Sequence, residues 1–245
     1  MKILSFLNQI NLFIRSCLFS ISMMSFTIVY SFLCLLAKPL SFSFRYNMIM
    51  FWTSTIVALL KKLCRVDYIV EGLDNIPQDR VGVVLSKHQS SWETFYLPTI
   101  FHQSAIILKR ELLWVPFFGW GLANVDPIAI NRKAPSSAME QIIKQGRACI
   151  KEGRWILVFP EGTRTLPGQI GRYHLGGARL AVAAEAPVIP VAHNAGVYWP
   201  KRRFLKKPGT IRVIIGPIIE TKDRTPEDVM TEAKNWNENK MKDLK

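Results

Sequence analysis

The chain has 245 residues and a mass of 28.0 kDa, enough for one sizeable core, so repeat arrays and multidomain assemblies are set aside. With 49% apolar residues and a mean hydropathy of +0.14, disorder and a collagen-like fibre are excluded. Basic residues number 32 against 18 acidic ones, and the resulting +14 favours anionic partners: nucleic acid, an anionic membrane surface, or a phosphorylated or CoA-bearing substrate.

The first 66 residues carry Lys2, Arg15, Lys38, Arg45, Lys61, Lys62 and Arg65 but no acid, for Asp67 is the first carboxylate. Residues 16–37 are uncharged; as a helix they reach about 33 Å, against a hydrocarbon core of roughly 30 Å. A second uncharged run, 46–60, reaches only about 22 Å, which suits an interfacial or re-entrant helix. Between them Lys38-Pro39 and Arg45 read as a basic turn that joins two helices into a hairpin. A cleaved signal peptide is the competing reading, but the apolar stretch is long for one and no A-x-A site follows. Residues 1–65 are therefore expected to form a retained membrane-anchoring hairpin. Cys17, Cys34, Cys64 and Cys149 are scattered without a CxxC pair, as in reduced thiols facing a cytosolic compartment.

Further along, short apolar or β-branched runs lie at 66–70, 81–85, 105–108, 155–159, 188–192 and 211–215, with helix-length stretches at 91–101, 136–152 and 176–186. The alternation predicts an α/β domain over residues 66–220, with a mixed, largely parallel central sheet flanked by helices. Residues 221–245 read as a polar tail, an exposed terminal helix and loop. The chain contains no P-loop, no G-x-S-x-G elbow and no H-E-x-x-H zinc helix, and Gly119-Trp120-Gly121 reads as a packed turn.

The stretch 81–95, VGVVLSKHQSSWETF, is a buried-type strand that runs into His88 and then into a helix start. Ser90 and Glu93 have the spacing of a capping box, which places His88 in the turn at the strand's C-terminal end, where ligands gather in open α/β sheets. Across that turn Glu93 can bond one imidazole nitrogen and leave the other free as a base. A capping glutamate beside a loop histidine explains the same spacing, and the residues alone leave the two readings open. A second strand runs into Pro160, Glu161, Gly162, Thr163 and Arg164. There Gly162 lets the backbone approach an anion, Thr163 offers a hydroxyl and Arg164 a guanidinium fork; a surface turn with a Glu161–Arg164 pair is the bland alternative. A third run, Ile128 to Arg132, ends in an arginine that on its own reads as solvated.

Together these stretches resemble the glycerolipid acyltransferase family, and within it the 1-acylglycerol-3-phosphate acyltransferases. His88-Gln89-Ser90-Ser91-Trp92-Glu93 matches the family's histidine, four residues and an acid; 128–132 is similar to its second motif. Phe159-Pro160-Glu161-Gly162-Thr163-Arg164 reproduces the third unchanged, and Val188-Ile189-Pro190-Val191 resembles the fourth. Lys109-Arg110-Glu111-Leu112 is similar to the segment between motifs. Three positions depart from the pattern: Glu93 for the more frequent aspartate, Lys87 for an asparagine, and Asn131 for an acid.

The resemblance implies that His88 takes the proton from the free hydroxyl of lysophosphatidic acid while Glu93 orients and charges the imidazole. The alkoxide then attacks the thioester of acyl-CoA or an acyl carrier protein, giving phosphatidic acid. Lys109, Arg132, Glu161, Gly162, Thr163 and Arg164 are implied to bind the substrate. No metal or cofactor is implied beyond the acyl donor as co-substrate, and the partners are membrane phospholipids rather than nucleic acid. The expected location is a membrane, at the cytoplasmic face of the inner membrane. His102, His174 and His193 have no motif partner and are read as structural or peripheral, and Ser90 as a cap. Two other classes stay in view: an acyltransferase for another lysolipid, and a basic membrane-surface protein without catalysis. An ester hydrolase would require an activated serine on an elbow, which is missing.

Overall fold

In the computed structural model, which describes residues 2–131 and 133–244, both apolar N-terminal runs are helical. Helix α1 spans Lys2–Leu36 and α2 spans Phe42–Cys64. The turn between them contains Lys38 and Pro39, and Ser41 caps α2 by accepting a bond from the Phe44 N–H. Residues 7–36 are long and apolar enough to cross a membrane, yet α1 does not stand apart from the rest of the chain. Ser16 Oγ accepts from the Lys206 N–H, Phe19 packs edge-on against Trp199, and Phe13 meets Phe204. Its opposite side leaves Ile14, Leu18, Ile21, Met24 and Val29 exposed. Helix α2, expected at an interface, instead buries Trp52, Ile56, Val57 and Leu60 in the domain core. Two of the basic residues also turn inward: Arg15 donates to Leu63 O at 2.6 Å, and Arg45 bonds Asp126 at 2.9 Å and Asn124 O at 3.0 Å.

The domain continues with β1 (Val66–Glu71), β2 (Val83–Ser86), α3 (Trp92–Ile100), β3 (Ala105–Lys109), α4 (Phe118–Leu122) and β4 (Ile128–Ile130). It closes with α5 (Pro135–Lys151), β5 (Ile156–Val158), α6 (Gly176–Ala183), β6 (Val188–His193), α7 (Ala195–Tyr198), β7 (Gly209–Ile215) and α8 (Pro226–Asp243). Among the described residues the seven strands form one sheet in the order β1-β7-β6-β2-β5-β3-β4. Neighbours run parallel except β6 and β7, which pair antiparallel through Ala192 and Ile214. The expected mixed, largely parallel sheet is the one found.

Central strands β2, β5 and β6 are buried along their whole length, because helices cover both faces. Their side chains alternate between two cores. Val84, Leu157, Ile189 and Val191 face α1, α2 and α3, whereas Val83, Leu85, Ile156, Val158 and Val188 face α5, α6 and α8. The polar tail is corrected here. Helix α8 forms as expected, capped by Thr225 on the Asp228 N–H, but Val229, Ala233 and Asn237 are fully buried. With Met230 also buried, three apolar residues at helical spacing are enough to dock a helix whose other positions are mostly polar.

Candidate active site

The strand order decides which loops meet. β5 lies between β2 and β3, all three parallel, so the segments leaving their C-terminal ends converge although they are far apart in sequence. His88 follows β2, residues 159–165 follow β5, and Lys109 ends β3. The two loops are tied directly: the Thr165 N–H donates to His88 O at 2.8 Å, and Arg164 Nη1 donates to Ser91 Oγ at 2.8 Å.

His88 Nδ1 lies 2.9 Å from Glu93 Oε1. The same oxygen accepts the N–H groups of Gln89 and Ser90, each at 2.8 Å. Both readings of the spacing therefore hold at once, since one buried carboxylate caps the helix entry and grips the imidazole. The helix begins one residue later than the capping-box spacing predicts, with Ser91 at the N-cap position, while Ser90 Oγ accepts from the Trp92 N–H at 3.2 Å. Burial alone would raise the Glu93 carboxyl, but the His88 bond, the nearness of that imidazole and the Ser90 N–H outweigh it and hold the carboxyl below its ordinary value. A charged carboxylate only accepts, so Nδ1 of His88 carries the proton and Nε2 is the nitrogen left for chemistry. The ring is stacked on Phe159, centroids 4.3 Å apart.

His88, Lys109, Gly162, Thr163 and Arg164 all line one cavity of about 360 Å³, within the usual range for ligand sites. Its walls are apolar, built from the hairpin by Tyr30, Ile49 and Trp52 and from the opposite side by Ile106, Leu108 and Phe118. Gly162 adopts φ +65°, and its N–H closes a turn on Phe159 O, so this glycine supplies the left-handed turn rather than an anion-facing N–H. Arg132 lies outside the described residues.

Glu161 departs from the expected substrate contact. Its side chain is fully buried, with Oε1 2.5 Å from Lys87 Nζ and Oε2 accepting the His88 N–H at 2.9 Å. A carboxylate facing a bound phosphate would be repelled, and turning it inward removes that conflict. One residue was missed in the sequence, Lys201, and His193, read there as structural or peripheral, has a structural role at the site. Lys201 lines the cavity and bonds Thr163 Oγ1 at 3.3 Å and the Arg164 carbonyl; its only signal was the basic run 201–207. His193, fully buried, places Nε2 2.9 Å from Lys87 O, and the Ala195 N–H donates to its Nδ1, so it holds the loop from behind as a neutral ring. Burial pushes its pKa down. His102 and His174 lie away from the cavity, His102 bonding Asn47 at 3.3 Å.

A family model described as Acyltransferase matches residues 67–194. The chain is 46% identical over 218 residues to a 1-acyl-sn-glycerol-3-phosphate acyltransferase of Pseudomonas aeruginosa, spanning 88% of this chain and 84% of that one. It is 30% identical over 174 residues to the human 1-acyl-sn-glycerol-3-phosphate acyltransferase alpha, covering 69% of this chain and 61% of the relative. Its fold superposes on the crystal structure of the 1-acyl-sn-glycerophosphate (LPA) acyltransferase PlsC from Thermotoga maritima with a TM-score of 0.81, at 22% identity and over 96% of each chain. The matched segment contains both converging loops, and similarity to the bacterial relative extends over most of the chain: this protein belongs to the acyltransferase family.

Proposed function

We propose that the protein transfers an acyl chain from a thioester donor, acyl-CoA or an acyl carrier protein, to the free hydroxyl of lysophosphatidic acid, giving phosphatidic acid and a free thiol. One observation carries the reading: a His88–Glu93 pair, 2.9 Å apart, opens onto an apolar cavity whose polar lining includes Arg164 and Lys201. His88 Nε2 takes the hydroxyl proton as the acceptor oxygen attacks the thioester carbonyl. Glu93 stabilises the imidazolium, which returns the proton to the departing thiolate as the tetrahedral intermediate collapses. Arg164, Lys201, Thr163 and Lys109, with Arg132, hold the phosphomonoester, whose two charges suit guanidinium and ammonium donors. The apolar walls take the acyl chain, each buried methylene contributing about 0.8 kcal/mol. No step uses a metal or cofactor.

The decisive assay offers purified protein acyl-CoA or acyl carrier protein with a panel of lysolipids. Lysophosphatidic acid should be preferred and thiol released in step with phosphatidic acid, whereas free fatty acid with water as sole acceptor would make the protein a hydrolase. Arg164→Ala removes a charge-assisted bond worth roughly 1.5–3 kcal/mol, so the acceptor KM should rise about ten- to a hundredfold, and lysine should recover part of it. A change confined to donor saturation would move the loop to the other substrate.

The exposed apolar side of α1 favours membrane association, and we place it at the cytoplasmic face of the inner membrane, where the four free cysteines stay reduced. The packing of α1 on the domain from Phe13 to Cys34 supports entry into one leaflet over a helix standing free in lipid. Exposed Lys38, Lys61 and Lys62 should strengthen attachment to anionic vesicles, with salt weakening it. Intact protein recovered in solution without detergent would defeat this.

A further inference from the structure

The cavity opens on the α1–α3 face of the sheet, and among the described residues none of its lining comes from α5, α6 or α8. One side chain nevertheless connects the far face to the site. Lys87, immediately before His88, has a side chain only 1% exposed; its Nζ lies 2.5 Å from Glu161 Oε1 and 2.8 Å from Glu238 Oε1 on α8. Tyr173 OH donates to the same Glu238 oxygen at 2.7 Å, and its ring lies beside the ammonium. Glu161 passes the link on, because its second oxygen holds the His88 N–H, while His193 holds Lys87 O. Both polar groups of the peptide joining Lys87 to His88 are thus gripped.

We propose that Lys87, clamped between Glu161 and Glu238, is a positioning residue that sets His88 for proton transfer, so that the C-terminal helix α8 bears on turnover. The inference rests on His88 as the base. A buried ammonium held by two carboxylates on different elements cannot drift without leaving a charge unpaired, so the peptide it anchors has one position. The clamp also accounts for the departure at this site, where Lys87 stands in place of an asparagine.

Lys87→Met keeps the stem and removes the charge. It should lower kcat about ten- to a hundredfold, the scale of a small misplacement of the base, with both KM values within about twofold of wild type. Glu238→Gln retains hydrogen bonding at a partly exposed position and should fold normally, lowering kcat severalfold in the same sense. Glu232→Gln changes the charge of α8 equally, at an exposed ion pair with Arg224 away from the cavity, and should run at the wild-type rate. Folded Lys87→Met and Glu238→Gln enzymes with wild-type kcat, or with losses in KM alone, overturn the proposal. If Lys87→Met does not fold, Glu238→Gln decides by the same criterion. His88→Ala, run in parallel, separates the two levels: turnover surviving there removes the reading of the base itself.

Discussion

His88→Ala should lower kcat by roughly a hundred- to ten-thousandfold, the range of a lost general base, while the protein still melts cooperatively. The imidazole lies at the cavity rather than in either core, with its side chain 17% exposed, so truncation leaves the sheet and its packing intact. The proposed phosphate and acyl contacts lie on other residues, so acceptor and donor KM should change little. Single-turnover acyl transfer at saturating substrates checks this, and near wild-type turnover would remove His88 from the chemistry.

Glu93→Gln carries the second large effect. The glutamine oxygen can replace Oε1 and keep the bonds from Gln89 N–H, Ser90 N–H and His88 Nδ1–H, while its amide takes the place of Oε2, which is buried without a bond partner among the described residues. The cap therefore survives and only the charge is lost. If the carboxylate stabilises the imidazolium, kcat should fall roughly 10²–10⁴-fold; if it only caps, the variant should be nearly active. The double variant should be little worse than His88→Ala, since groups acting as a unit are not additive. The lowered Glu93 carboxyl also sets a sign for stability. Its contribution is present above the ordinary carboxylate range and is lost as pH falls through the lower value of the folded state, a loss absent from Glu93→Gln.

Much of this was legible beforehand because the informative signals were local. Six apolar runs became β1, β2, β3, β5, β6 and β7, and His88 and Glu93 met across a turn of five residues. What sequence could not supply was direction and partner. Nothing in the run Phe159 to Arg164 says that Glu161 turns into the protein while Arg164 turns toward the site, because that depends on a lysine 74 positions earlier. Lys201 and Glu238 reach the loops only through the folded sheet, and His193 appeared to have no partner because its partner is a backbone carbonyl. The tail was misjudged for a related reason: three buried apolar positions, Val229, Met230 and Ala233, with Asn237, gave α8 a docking face that composition hides among many charges.

The pairing of the edge strand also orders events during synthesis. β1 has β7 as its neighbour, with Val66 opposite Gly209, and α1 closes on residues 199–206. The ribosome adds about 5–20 residues per second, so roughly 7–40 s separate the emergence of these partners. During that interval the nascent hairpin has its greasy surface uncovered on both sides, one that packs on the domain in the finished fold and one that stays exposed there. A nearby bilayer can shield it at once, whereas the domain cannot until the last strand is made. On the proposed membrane attachment, capture of the nascent chain precedes completion of the sheet, and stalled chains ending before residue 209 should already pellet with membranes while lacking the closed sheet.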